Sequence, residues 1–165
     1  VREVPQVAPK GAIGDALFEE AAIPVAGVMV RRKVLEPLTK TANKFWLGND
    51  YAFLFWLAGH TAFEPVNTSM MALRPIDGIL PPGLDPIAEA RGEAMTRALE
   101  TIPGLVRARL ARRCLSAHHC HRARALNRAG EVNEAFGSAL RAIMYRPLWI
   151  GAWKEVMRIA VGRKS

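Results

Sequence analysis

Residues 125–147, ALNRAGEVNEAFGSALRAIMYRP, decide how the second half of the chain folds. Gly130 separates two segments that have small residues at helical spacing, and Pro147 ends the second segment. These small residues are Ala125, Ala129, Ala135 and Ala139. Because small side chains let two helices approach closely, the stretch predicts a tetratricopeptide-like helix pair, present once and not as an array.

Outward from this pair, the pattern after Pro86 predicts helix alone. Asp85 is a suitable N-cap, and Pro86 suits the first helical position of a helix that runs to about Ile102. Pro103 and Gly104 end that helix. The further predicted helices cover residues 105–117, 118–129, 132–145 and 147–161.

The residues before Pro86 show a mixed pattern. Helical spacing predicts helices at 14–22 and 34–38 and an apolar, buried helix at 51–58, capped by Asn49 or Asp50 and stopped by Gly59. Short apolar runs predict strands at 23–30, 62–66 and 69–73. A Pro- and Gly-rich segment at 77–86 marks a boundary. We therefore predict an α/β domain over residues 1–84 and an all-α extension over residues 85–165, with helix predominating.

Positive charge is concentrated in the second half of the chain. The 165 residues are 50% hydrophobic, which excludes a disordered chain, and carry a formal net charge of +8. Residues 1–104 hold 10 Lys and Arg against 12 Asp and Glu, whereas residues 105–165 hold 13 against 3. This half is expected to attract an anionic membrane surface, with nucleic acid unlikely, unless it is simply a solvated face.

Two cysteines give no disulfide framework and favour a reducing compartment.

Several motifs of residues 11–74 follow one another in a distinctive order. They are a Gly-led helix (11–22), an Ile-Pro strand (23–30) ending in Arg31-Arg32, Asn49-Asp50 before an apolar helix, and two late segments (63–66 and 72–74). This order resembles the C-terminal half of the catalytic domain of family 2 glycosyltransferases, which has the GT-A fold and a mixed sheet. The helical tail is also similar to a common extension of these enzymes.

The resemblance implies a role for Asp50. It implies inverting transfer from a nucleotide-sugar donor to a hydroxyl of a glycan or lipid-linked acceptor, with Asp50 as the general base. Asn49 stands where the family usually has another acid. The nucleotide-binding half and the Asp-x-Asp that holds a divalent Mg or Mn ion are not in this sequence, so we expect them upstream and expect the chain alone to be inactive. The alternative for Asp50 is a helix cap.

Three further residues are substrate-binding candidates under the same resemblance: Trp46, Tyr51 and Arg74. The aromatic rings of Trp46 and Tyr51, beside Asp50 in the sequence, could stack on an acceptor sugar. Ordinary core packing is the alternative. The resemblance implies a cytoplasmic enzyme that is peripheral to the membrane.

Cys114, His118 and His121 form a possible metal motif. On a helix they would share one face, at a spacing that can bind zinc. A fourth ligand is not evident, so no metal site is predicted, and a helix with partly exposed histidines is the favoured reading.

The last predicted helix is amphipathic. Trp149, Trp153, Val156 and Ile159 or Ala160 share one stripe, and Lys154, Arg158 and Arg163 lie outside it. The stripe either packs on the preceding helix or lies on an anionic membrane. The second functional hypothesis is accordingly a non-catalytic, basic helical module that binds an anionic membrane surface or an acidic partner.

Overall fold

The computed structural model describes residues 10–19, 28–40, 49–66 and 86–162. Within these ranges the chain forms seven helices: α1 (Gly14–Phe18), α2 (Arg32–Lys40), α3 (Asp50–His60), α4 (Pro86–Thr101), α5 (Ala108–Ala129), α6 (Val132–Tyr145) and α7 (Ile150–Ala160). Most of the described residues are therefore helical, and the predicted predominance of helix is confirmed.

The described residues do not form the predicted strands. In the ranges above, the only β contact is an isolated antiparallel bridge in which the Gly11 and Phe63 amides donate to each other's carbonyl oxygens at 2.7 and 2.9 Å. Pro65 lacks an N–H, which limits any ladder over residues 62–66. Of the predicted strand at 23–30, the described residues 28–30 are neither helix nor strand, and Met29 is 76% exposed. The strand predicted at 69–73 lies outside the described residues.

The chain divides into two compact units. The first, unit 1, comprises Val1–Ile79 and Arg97–Val106, and the second, unit 2, comprises Leu80–Thr96 and Arg107–Ser165. Helix α4 contributes residues to both units. The domain boundary predicted between residues 84 and 85 stays a prediction.

Helix α3 forms the centre of the described part of unit 1. It is apolar on nearly all sides, and its residues 52 and 54–57 are buried, as predicted. It packs against α1 through the Phe18 and Phe55 rings, whose centroids lie 4.9 Å apart. The predicted stop at Gly59 is wrong, because α3 continues to His60. A Cβ at Gly59 would lie 2.4 Å from Cγ2 of Ile102, so this glycine makes room for a neighbour.

Unit 2 is built around α5, a single helix of 22 residues. The predicted break between Ala117 and His118 is wrong, since residues 105–129 contain neither Gly nor Pro to interrupt the helix. The helix ends where predicted. Gly130 adopts a left-handed φ of 88°, and the amide of Glu131 donates to the Leu126 carbonyl at 2.9 Å.

Small residues bring α5 and α6 together, as the sequence predicts. Ala135 and Ala139 of α6 are fully buried, but the α5 partner is Ala123, because Ala125 is only half-buried and Ala129 is exposed. Ser116 of α5 also donates a hydrogen bond of 2.8 Å to the carbonyl of Ala142 in α6. The result is a helix pair whose backbones lie close together.

Helix α7 packs on this pair through one face. Ile159 is buried among Ala123, Ala135 and Ala139, with Val156 beside it, and Ala152 is buried against Cys120, Ala142 and the half-buried Trp149. The predicted packing of the stripe on the preceding helix is therefore right for Trp149, Val156 and Ile159, and Ile159 is the buried one of the two alternatives Ile159 and Ala160. Trp153 and Ala160 are exposed. Ala152 takes their place, because the small-residue surface of α5 and α6 accepts a methyl group there.

A buried carboxylate also fixes α7. The side chain of Glu155 is 3% exposed, and Arg124 of α5 donates to its Oε1 at 2.9 and 2.7 Å. Arg158 donates to both of its oxygens at 2.9 Å. The hydrogen bond to Glu155 raises the pKa of Arg124. One carboxylate thus holds two guanidinium groups and joins α7 to α5.

Glu155→Ala is expected to lower the free energy of unfolding by about 1.5–3 kcal/mol, since it removes charge-assisted hydrogen bonds from two arginines that can still reach water. Urea denaturation followed by circular dichroism measures this loss. Glu131→Ala, which changes an exposed glutamate, is the control and should stay near wild type. Equal effects of the two variants would contradict the anchoring role of Glu155.

Candidate functional site

The residue that caps α3 is Asn49. Its backbone is extended, and its side-chain oxygen accepts hydrogen bonds from the amides of Tyr51 at 2.9 Å and Ala52 at 3.1 Å. These amides are among those that a helix start leaves without an internal partner. The capping position that the sequence left open between Asn49 and Asp50 therefore belongs to Asn49.

Asp50 occupies the first turn of α3 and is exposed. Its negative charge is favoured by the positive end of the helix dipole. The next turns of α3 are buried, so the carboxylate is attached to a helix whose position the core fixes. An exposed carboxylate on a fixed support can accept a proton from a hydroxyl group that approaches from solvent.

Only part of the predicted substrate site is described. Tyr51 follows Asp50 in α3 and is half-buried. Trp46 and Arg74 lie outside the described residues, so their grouping with Asp50 stays a prediction.

Cys114, His118 and His121 lie on the continuous helix α5. The His118 ring occupies the space left by Gly92 of α4, where a Cβ would be 2.1 Å from Nε2. Burial lowers the pKa of His118. In the part of the chain that the structure describes, no three His, Cys, Asp or Glu side chains are placed to share a metal ion. His118 thus serves packing against α4.

His119 is a buried histidine that the sequence analysis did not single out. It is 9% exposed, stacks on Tyr145 with ring centroids 5.6 Å apart, and meets His118 edge-on at 5.2 Å. Among the described residues its Nδ1 is buried without a hydrogen-bond partner. Burial, followed by the charges of His118, Arg141 and Arg122, lowers the pKa of His119 to about 4. The ring is therefore neutral at pH 7.

A polar network next to these histidines also came only from the structure. Arg122 of α5 donates to Glu89 of α4 at 2.7 Å and to the hydroxyl of Ser138 in α6 at 2.8 Å. Its guanidinium lies 3.8 Å from Glu134. These residues are far apart in sequence and share no motif, so local spacing gave no signal for them. The network ties three helices of unit 2 together.

The environment of Cys120 does not suggest a nucleophile. Cys120 is buried, and burial, with the charge of Glu155, raises the pKa of its thiol. A raised thiol pKa disfavours the reactive thiolate. Cys120 packs instead against Ala142 and Ala152.

Comparison with known proteins found no match to a family model, to a curated protein or to a solved structure. In the described ranges no helix combines the length and the apolar character that a membrane crossing requires.

Asn49→Ala is expected to destabilise the chain by about 0.5–2 kcal/mol, because the amides of Tyr51 and Ala52 lose their acceptor. Asn49→Asp keeps an acceptor oxygen and should stay near wild type. Thermal denaturation followed by circular dichroism compares the two variants. A similar loss in both would mean that the cap hydrogen bonds do not carry the effect.

The lowered pKa of His119 predicts a pH-dependent stability. Between pH 6.5 and about 4 the unfolded chain binds a proton that the folded chain refuses. The free energy of unfolding should therefore fall as the pH drops through this window and cease to fall from this cause below about pH 4. Urea midpoints measured across the window check this.

The contribution of His119 to this pH dependence is obtained by comparing the urea midpoints of wild type and His119→Phe. The variant keeps a ring against Tyr145 but cannot titrate. This variant should lose part of the pH dependence. His121→Gln, which changes an exposed histidine of the same helix, should keep it. Parallel curves for wild type and His119→Phe would show that His119 does not titrate as described.

Proposed function

We propose that the chain is the C-terminal portion of a nucleotide-sugar-dependent glycosyltransferase that performs inverting sugar transfer to a hydroxyl acceptor in glycan or cell-surface polysaccharide synthesis. The observation that carries the proposal is that two neighbouring residues at the start of α3 have separate roles. Asn49 supplies the cap, and the exposed carboxylate of Asp50 is left to other chemistry. The order of motifs over residues 11–74 supports the same family.

In this proposal Asp50 is the general base. The acceptor oxygen attacks the anomeric carbon as its proton passes to the Asp50 carboxylate, and the bond from that carbon to the nucleoside diphosphate breaks. The buried turns of α3 hold the carboxylate in place. Tyr51, Trp46 and Arg74 are the proposed acceptor-side residues.

The remainder of the donor site belongs, in this proposal, to an upstream half. That half would supply the sheet of a GT-A-like fold and the Asp-x-Asp for a Mg or Mn ion, since the present sequence contains no Asp-x-Asp. The metal would stabilise the departing diphosphate. We propose a cytoplasmic location at the membrane face for the full enzyme, and no activity for this chain alone.

The coding sequence upstream of Val1 is the first test. About 100 or more residues of alternating strands and helices with an Asp-x-Asp would support the proposal. An unrelated upstream domain would overturn it.

The second test changes Asp50 in the full-length enzyme. Asp50→Asn should lower the rate of sugar transfer by about 10²–10⁴-fold and leave donor binding unchanged, because only the proton acceptor is lost. Glu100→Gln, which changes an exposed carboxylate of unit 1 outside the proposed site, is the matched control. Unchanged turnover in Asp50→Asn would remove Asp50 from the mechanism.

A second candidate function is a non-catalytic helical module that binds an anionic membrane surface or an acidic partner. Two observations favour it. Residues 105–165 hold 13 Lys and Arg but only 3 Asp and Glu, and large apolar side chains are exposed on α6 and α7. The upstream sequence separates the two candidates. Only the enzyme requires a nucleotide-binding half.

A further inference from the structure

Helix α7 carries an exposed apolar face on the side that does not pack in unit 2. Four side chains form it, spaced by three or four residues along the helix. They are Ile150, Trp153, Met157 and Val161, with exposed fractions of 68%, 50%, 61% and 64%. Leu148, just before the helix, is 94% exposed. We call these five side chains the α7 face.

The polar groups next to this face are cationic. Lys154 and Arg158 line the same shallow groove as these four apolar side chains. Glu155 is the one acidic residue in α7, a helix whose residues are all described, and it is turned inward and bound by two arginines. Packing within unit 2 thus removes the negative charge of α7 from its solvent side.

The exposed tryptophan is held by a hydrogen bond. Nε1 of Trp153 donates to the carbonyl of Pro147 at 2.7 Å, so the polar end of the ring is satisfied within the chain. The rest of the ring remains half exposed. Tryptophan, aliphatic side chains and flanking Lys and Arg are the composition of helices that lie in a membrane interface.

We propose that the α7 face binds the surface of an anionic lipid bilayer, with Ile150, Trp153 and Met157 in the interface and Lys154 at the lipid headgroups. This inference deepens the second candidate function. At 11 residues α7 is too short to cross the hydrocarbon core, which suits a helix lying flat. A second copy of the chain fits less well, since two such faces would bring their cationic borders together.

Vesicle binding by the full 165-residue chain tests the proposal. The probes are vesicles of phosphatidylcholine mixed with phosphatidylglycerol and vesicles of phosphatidylcholine alone, with co-sedimentation as the measurement. Binding should require phosphatidylglycerol. It should weaken as the ionic strength rises from about 0.1 to about 1 M, because the Debye length falls from about 10 to about 3 Å.

Two variants examine the face itself. Lys154→Gln should weaken binding about fivefold, the effect of one cation near an anionic surface. Met157→Ser should weaken it about tenfold, through lost apolar burial. Both side chains are exposed, and circular dichroism should confirm an unchanged fold.

Matched controls are available elsewhere in the chain. Met29→Ser changes a methionine that is 76% exposed and lies in unit 1, and Arg112→Gln changes an exposed arginine of α5. Both variants should bind within about twofold of wild type. If Arg112→Gln weakened binding as much as Lys154→Gln, the overall positive charge of the chain would account for the binding. The proposal that the α7 face is the binding site would then be wrong.

A spectroscopic measurement locates the contact. Lipids brominated near the headgroup should quench tryptophan fluorescence on binding, and Trp153→Phe should remove most of that quenching. Quenching that persists in Trp153→Phe would contradict the proposed orientation.

Three results would overturn the bilayer inference. They are no binding to either vesicle, equal binding to both, and a dimer in sedimentation analysis that Met157→Ser dissolves. Binding to polyglutamate without binding to vesicles would overturn the bilayer inference while leaving the interaction module in place. None of these results bears on Asp50, so the glycosyltransferase proposal is tested separately.

Discussion

The close approach of α5 and α6 is the constraint on which the rest of unit 2 depends. Ala123, Ala135 and Ala139 are completely buried at this contact, where any larger side chain would force the helices apart. The left-handed turn at Gly130 sets the two helices antiparallel. Their combined surface then receives α7 through Ile159 and Ala152. Three helices therefore pack with small side chains at the centre.

This packing has a consequence for the surface. Because α6 turns its small residues inward, larger ones such as Phe136 and Met144 stay exposed. Helix α7 also has two different sides: Glu155 lies on its buried side, and Trp153 and Met157 lie on its exposed side. Burying the carboxylate against Arg124 leaves a surface that is apolar and cationic. The burial of Glu155 against Arg124 thus explains both the contact between α5 and α7 and the lack of negative charge on the exposed face of α7.

At the start of α3 the geometry is local. The chain needs an acceptor for the first free amides of a buried helix, and Asn49 provides it without a charge. Asp50, one residue later, faces solvent on a support fixed by the core contact of Phe55 with Phe18. Two neighbouring polar residues thereby take separate positions, one satisfying the backbone and the other presenting a carboxylate.

The sequence by itself determined the helix pair around Gly130, the buried character of α3, the capped helix start at residues 49–50 and the charge division, because each depends on neighbours in the chain. Only the tertiary structure decided that α5 is continuous, that Ala123 is the contact residue, and which side of α7 is buried. The ion pair between Glu155 and Arg124 and the stacking of His119 on Tyr145 likewise join residues far apart in sequence. Helical spacing shows which residues share a face, but which face is buried depends on the shape and charge of distant partners.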